Sequence, residues 1–561
     1  MNVRICESHS PQPALLPRLV AVVLLFVCAV PALAAESDEP ALARFIVKTR
    51  DAAQSAELRN VLTSRYGPSV RVAPLFDKVD VENDPDGMAR MYRVSIAADR
   101  MPTRQPWENA YRLESELELE AVEPDFDSTL RRTVEMSAIC LADVEPPQNK
   151  NWSLDEIRAP AAWLLQPPPG GKKFGEGITV CHPDTGWSEH VDLDASRLDL
   201  TRARNLLDSG LPNAQDPFID GPLLHPGHGT GTGSVIVSGH ESGLVMGVAP
   251  RAKLVPIRTA KSVIQLFDSD LARAVNYAVD ARCDVISMSL GGRAFFGLKA
   301  AIRRAVRNQV IVAAAAGNCV GFVVAPAAYD DTIAVAGTNV RSGPWKGSSH
   351  GSAVDISAPA EHVYIARRQK PSDPTNKVEP GEGTSYAVAN VAGAAALWLA
   401  YHDRAKLLQR YGSGRRLQDV FRELLGQTAS VPAPWNPGQY GPGILNVESL
   451  LRADLPDVPE SAAIVPERDG GELALLAAIL DRSPARLGPQ LARLFGVGPL
   501  DVEDRLRDFG PELVHLALSN PAAFNRLLDQ LAGFESGIPL AQQPAFTDAS
   551  PTLRRQVGAQ P

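Results

Sequence analysis

The chain has 561 residues, with Lys+Arg 56 against Asp+Glu 65 for a formal charge of −9, and 45% of it is hydrophobic. That apolar share builds ordinary cores, and Gly 43 with Pro 46 makes about 16% of the chain, short of the ~25–30% of low-complexity sequence. Disordered, collagenous and coiled-coil classes are excluded, and a mildly acidic chain without a basic block is not expected to bind nucleic acid.

Arg4 and Arg18 precede Leu19–Val30, an apolar run of twelve that ends in Pro31-Ala32-Leu33-Ala34. A charged start, a short apolar core and small residues at A-x-A positions make an export signal over 1–34. Twelve residues are too few to cross a bilayer, which needs about 20. The expectation is a secreted, periplasmic or cell-surface protein whose mature chain has no transmembrane anchor. Cys6 and Cys28 would leave with the signal. Cys140, Cys181, Cys283 and Cys319 remain, and sequence cannot choose among their pairings. Cys181 and Cys283 sit in or beside apolar runs and read as buried free thiols.

Residues 35–126 read as a small α/β domain. Ala43–Lys48 and Ala89–Ile96 are strand-like, and Ala52–Tyr66 is helix-like with Leu58, Val61 and Leu62 on one face. The glutamates of 114–120 read as a solvated face. A linker is expected over 127–150. In 151–452, strand-like runs (Ile178–Cys181, Leu254–Ile257, Val285–Ser289, Val310–Ala315, Thr332–Ala336) alternate with helix-like ones, clearest at Ser269–Ala281 and Leu298–Arg307. That alternation predicts an α/β fold with a parallel sheet covered on both faces. A second linker spans 453–471. Residues 472–535 read as helical, with leucine faces at 473/476/480, 513/516/518 and 527/528/531, and Pro484, Pro489, Pro499, Pro511 and Pro521 cutting it into short helices. Residues 536–561 are expected to be a flexible tail.

Three patterns in the middle domain carry chemistry. Asp184-Thr185-Gly186 follows a strand, at the edge where parallel sheets hold ligands. His228-Gly229-Thr230 sits in a Gly/Thr-rich loop leading into a helix. Gly383-Thr384-Ser385 opens the helix-like run Tyr386–Ala400, where free N–H groups favour negative charge. Serine, histidine and carboxylate can form a nucleophilic triad, and the order Asp…His…Ser with no G-x-S-x-G selects one known arrangement.

With these motifs the chain resembles the subtilisin-like serine peptidases, the S8 or subtilase family. Further matches are Val285-Ile-Ser-Met-Ser-Leu-Gly-Gly292, Ala315-Ala-Gly-Asn318, Ser348-Ser-His-Gly351, Val354–Pro359 and Tyr440-Gly-Pro-Gly443. The resemblance implies a three-layer α/β catalytic domain, preceded by a propeptide domain and followed by a helical C-terminal segment. It implies Ser385 as nucleophile, His228 as base, Asp184 as its orienting carboxylate and Asn318 as oxyanion donor. Ser289, Leu290 and Gly291 would pair with an extended polypeptide substrate. Gly291 and Gly292 would leave room in the first specificity pocket, whose far wall includes Cys319. Residues 35–126 would be an intramolecular inhibitor, removed by self-cleavage within 126–150. Departures are Pro183 before Asp184, Gly231 where the family often has His, Ala389-Asn390 for Pro-His, and Ala360 for Gly. The chemistry requires no cofactor. Structural calcium is common in such proteins, and Asp192/Asp194 or Asp216/Asp220 could supply oxygens. His225 and His228, spaced H-x-x-H, read as one site histidine and one loop histidine. Two alternatives share the fold: a transpeptidase, and a binding or scaffold protein of weak activity.

Overall fold

In the computed structural model the residues described are 41–125, 145–207, 212–220, 224–239, 243–261, 263–265, 269–292, 295–319, 322–412, 416–457, 471–533 and 540–557. The expected export signal, Cys140 and the linker segments 126–144 and 458–470 lie outside them.

The N-terminal domain runs β1 (Leu42–Lys48), α1 (Ala52–Tyr66), β2 (Arg71–Pro74), β3 (Met91–Ala97), α2 (Pro106–Leu117) and β4 (Ala121–Pro124). Its antiparallel sheet has the order β2-β3-β1-β4, a split β-α-β arrangement. Asp51 caps α1 by accepting the Gln54 N–H at 2.8 Å. Leu58 and Leu62, one turn apart, are buried with Ala110 and Leu113 of α2. Val61, expected on the same face, is exposed. The glutamates are not simply solvated: Glu116 pairs with Arg65, Glu118 with Arg50, and Glu120 with Lys48 and Arg90.

The large domain begins with two short helices, α3 (Trp152–Glu156) and α4 (Ala159–Leu164). Its sheet strands are β5 (Thr179–Asp184), β6 (Arg204–Asn205), β7 (Lys253–Arg258), β9 (Val285–Met288), β11 (Ile311–Ala315), β12 (Ile333–Thr338) and β13 (Ile356–Pro359). Between them lie α5 (His228–Val237), β8 (Ile264–Gln265), α6 (Ser269–Asp280), β10 (Gly291–Gly292) and α7 (Phe296–Arg307). The order is β13-β12-β11-β9-β5-β7-β6, and every pairing is parallel. Alternate residues of one strand enter different cores. Ile311 and Ala313 face α5 and α8, whereas Val312 and Ala314 face α6 and α7. Three layers result. After β13 come the hairpin β14 (Val363–Ala366) and β15 (Val378–Gly381), then α8 (Thr384–Tyr401), α9 (Arg404–Tyr411), α10 (Leu417–Thr428), α11 (Pro437–Tyr440) and α12 (Val447–Arg452). Residues 384–400 of α8 are all buried, because its alanines and glycine let it lie close against the sheet.

Cys181 and Cys283 are not free thiols: they form a disulfide with Cα atoms 5.7 Å apart. Both face the α6–α7 core, Cys181 from β5 and Cys283 from the turn after α6, and the parallel register brings them together. Cys319 is also disulfide-bonded.

The C-terminal region holds α13 (Gly471–Ile479), α14 (Pro484–Phe495), α15 (Val502–Ser519), α16 (Pro521–Gly533) and α17 (Pro551–Gln556). Pro484 and Pro521 start helices as expected, but Pro489 lies inside α14 and Pro511 inside α15. An interior proline costs about 3 kcal/mol. Burial of Leu506, Phe509, Leu513, Val514 and Leu516 along α15, at about 1.5–3 kcal/mol per side chain, outweighs that cost. The expected flexible tail is also ordered over 540–557, where two 3-10 turns and α17 bury Phe546 and Leu553. Those two apolar residues give the segment a core to join. Among the described residues no helix is long and apolar enough to cross a membrane.

Candidate active site

The strand order turns at β5: β7 and β6 lie on one side of it, and β9, β11, β12 and β13 on the other. Such a switch point opens a crevice beyond the carboxyl ends of the strands. Asp184 ends β5, Ser289 follows β9, and α5 and α8 begin there with His228 and Thr384-Ser385.

Asp184 is fully buried. Its Oδ1 lies 2.8 Å from His228 Nδ1 and accepts the Thr185 N–H at 2.7 Å, and its Oδ2 accepts the Thr232 hydroxyl at 3.3 Å. A carboxylate only accepts, so His228 Nδ1 carries a proton and Nε2 is left as the basic nitrogen. Burial pushes the Asp184 carboxyl up, but His228, His182 and the Thr185 N–H more than offset this and hold it below the usual range.

Pro183 fits β5 despite lacking an N–H. The Asp184 carbonyl accepts from Thr259 N on the β7 side, so the Pro183 nitrogen faces β9. The β5–β9 ladder has already ended at Cys181↔Ile286. His182, two residues before Asp184, shares its face of the strand. Its Nε2 lies 2.8 Å from Thr232 Oγ1 and 3.5 Å from Asp184 Oδ2, and Nδ1 is 3.3 Å from the Ser287 carbonyl. Burial lowers the pKa of the ring, against the pull of Asp184.

His228 opens α5 after Gly227, whose φ of 76° is left-handed. A Cβ there would stand 1.9 Å from the Arg368 carbonyl, so only glycine fits. Asp216 ties this loop to the one after Asp184: it accepts from Gly227 N at 2.7 Å, the Thr185 hydroxyl at 3.0 Å and Phe218 N at 2.9 Å. The carboxylate offered to calcium by the sequence is thus committed to hydrogen bonds within the fold. Among the described residues no three His, Cys, Asp or Glu side chains gather as metal ligands. His225 meets His228 edge to face, with ring centroids 6.3 Å apart. Of the other departures, Gly231 has Ile365 Cδ1 only 2.7 Å from where a Cβ would be. Asn390 is buried, donating to the Tyr386 carbonyl at 3.0 Å, and Ala360 is buried too.

Ser385 is the second residue of α8, among its unpaired N–H groups. Its hydroxyl donates to the Ser289 carbonyl at 3.4 Å, a long and weak bond, and the Ser289 hydroxyl donates to the Ser385 carbonyl at 3.1 Å. Asn318 is exposed just past β11. Its Oδ1 accepts both the N–H of Thr384 at 2.9 Å and its hydroxyl at 2.8 Å. A backbone N–H can only donate, which fixes the oxygen toward Thr384 and turns the amide nitrogen to the other side. That nitrogen lies 3.4 Å from where a Cβ on Gly383 would be.

The expected substrate edge differs in part. Ser289 and Leu290 are buried, and the Gly291 N–H is taken by the Val263 carbonyl at 3.1 Å. Gly291–Gly292 pairs in parallel with β8. A Cβ on Gly291 would stand 2.4 Å from Val324 Cγ2, so Val324 lies directly beside it. Cys319 is half-buried with φ of 64°, and its N–H donates to the Gly347 carbonyl at 2.7 Å. Sequence reasoning gave no role to His182, Thr232 or Thr384, and offered Asp216 only as a calcium ligand. Strand parity with Asp184 was the available signal for His182, and adjacency to Ser385 for Thr384.

The model of the subtilase family matches residues 175–469, which leaves the N-terminal domain and helices α13–α17 outside the match. Subtilisin E of Bacillus subtilis (strain 168) is 30% identical over 317 residues, 55% of this chain and 73% of that protein. The major intracellular serine protease of the same organism is 31% identical over 281 residues, 48% of this chain and 80% of that protein. A solved structure of proteases from Pseudoalteromonas arctica PAMC 21717 aligns at 24% identity and a TM-score of 0.45, over 54% of this chain and 96% of that one. The chain belongs to the subtilase family and is a serine endopeptidase.

Proposed function

We propose that Asp184, His228 and Ser385 hydrolyse peptide bonds through an acyl-enzyme. Ser385 Oγ bonds to the scissile carbonyl carbon as its proton passes to His228 Nε2. The C–N bond breaks and the proton goes to the leaving amine. Water then cleaves the ester by the same route, restoring the hydroxyl. Asp184 keeps the proton on Nδ1 and stabilises the imidazolium. The Asn318 amide nitrogen and the Ser385 N–H take the oxyanion. The observation that carries this reading is the 2.8 Å Asp184–His228 bond at the strand edge where α8 begins with Thr384-Ser385. The weak Ser385–Ser289 bond is readily exchanged for one to His228, as active sites without substrate often require.

The N-terminal domain acts as inhibitor and leaves by self-cleavage within 126–150. In support, Asp125, at its described end, accepts the Ser269 N–H at 3.2 Å and hydroxyl at 2.8 Å, capping α6. Glu123 accepts the Phe296 N–H at 3.3 Å at the start of α7. Disulfides at Cys181–Cys283 and at Cys319 suit an exported protein.

The test is a serine-directed covalent inhibitor and a casein digest on wild type and Ser385→Ala, with the N-termini of both mapped. Label on Ser385, casein breakdown and a new N-terminus within 126–150 are expected for wild type only. Ligated products would indicate transpeptidation, absence of label a binding protein, and identical N-termini an external processing enzyme.

A further inference from the structure

Helix α2 of the N-terminal domain has two buried faces. Ala110 and Leu113 pack on its own sheet, whereas Trp107 belongs to the cluster that includes Phe509, Leu513 and Leu553 of the C-terminal region. The Trp107 ring lies 6.0 Å from His515 and the Tyr111 ring 5.6 Å from Phe509, both edge on.

Polar contacts close over this apolar patch. The Glu108 carboxylate accepts the Thr552 N–H at 2.9 Å and its hydroxyl at 2.8 Å, at the first turn of α17. Gln105 Nε2 donates to the Asp548 carbonyl at 3.0 Å. Glu512 of α15, beside Tyr111, accepts the Ser550 N–H at 2.6 Å and hydroxyl at 2.8 Å. Trp107 is 2% exposed and Glu108 5% exposed, although neither serves the core of its own domain. Elsewhere the domain meets the catalytic helices through Asp125 and Glu123, and through the ion pairs Arg93–Asp270 and Asp86–Arg307.

On the reading that this domain is the inhibitor, we propose that the C-terminal helices are its docking surface, gripping α2 so that the domain stays seated as a separate polypeptide after the connection through 126–144 is cut. Cutting then does not by itself free the active site. The two contact regions must be lost together, which slows dissociation far below that of either alone. The occupant is the chain's own N-terminal domain.

The test uses the full chain carrying Ser385→Ala, with a recognition site for a sequence-specific protease inserted within 126–144. After cutting, the N-terminal fragment is expected to co-elute with the remainder in size exclusion. Gln105→Ala with Glu108→Ala should speed its release about tenfold or more, with the uncut thermal transition confirming the fold. Thr552→Val, which removes one bond from the other side, should speed release less. Loss of the fragment from the unsubstituted protein, or equal release rates in all variants, would overturn the proposal. A retained fragment on an active, cut wild-type chain that digests casein freely would overturn the inhibitor reading while the docking surface stands.

Discussion

Asn318 depends on which of its amide atoms is tied down. Thr384 offers two donors to Oδ1, which leaves the amide nitrogen on the other side, beside Gly383. In the proposed mechanism Asn318→Leu should lower kcat about 10²–10³-fold with KM little changed. Thr384→Val should also lower kcat, by less, since the backbone donor remains, and Thr384→Ser should restore it; steady-state kinetics checks both. Asp184, His228, Ser385 and Asn318, the residues of the proposed site, stand out in the sequence because each sits in a short motif. His182, Thr232 and Asp216 do not. Thr232 and Asp216 meet Asp184 or its neighbours from other elements, and His182, on the same strand as Asp184, takes its partner Thr232 from α5, so these pairings are chosen by packing.

Helix α8 shows what an element's composition does. A Cβ on Gly393 would lie 2.6 Å from Val248 Cβ, a stem atom that cannot swing aside. Gly393→Ala should destabilise the protein by about 1–3 kcal/mol in chemical denaturation through overpacking. The Cys181–Cys283 bond joins β5 to the turn between α6 and β9 across a separation of 102 residues. Replacing both cysteines by alanine should cost about 2–4 kcal/mol, read from the denaturation midpoint at constant slope. Strand and helix positions in the large domain were legible from apolar runs. Pro489 and Pro511 misled because local propensity was outweighed by burial of helix faces that only the assembled bundle supplies.

At the scale of the whole molecule, buried carboxyls line the contacts of the N-terminal domain. Burial raises Asp125 to about 6, where it faces Ser269, Asp270 and Arg93. Burial raises Glu512 to about 7, where it faces Ser550, Tyr111 and Glu108. Each holds its proton more tightly when docked than in water, so docking takes up protons. The stabilisation is full below the free carboxyl range, near pH 4, and is lost as pH rises through about 6–7. The cut fragment should therefore leave faster at about pH 8 than at about pH 5. Glu512→Gln should flatten that dependence in the same size-exclusion experiment.

The sequence by itself determined the family, the αβ alternation of the large domain, the helical C-terminal region and the site motifs, since each is written in residues close together along the chain. Tertiary structure alone decided that Cys181 bonds Cys283, that Val324 lies directly beside Gly291, and that residues 540–557 are ordered. It also decided what the long C-terminal region touches. Glu108 and Thr552 stand 444 positions apart, and only the folding of both ends onto one core makes them partners. The last hundred or so residues pack mainly on one another, and they meet α2 through α15, α17 and Asp548.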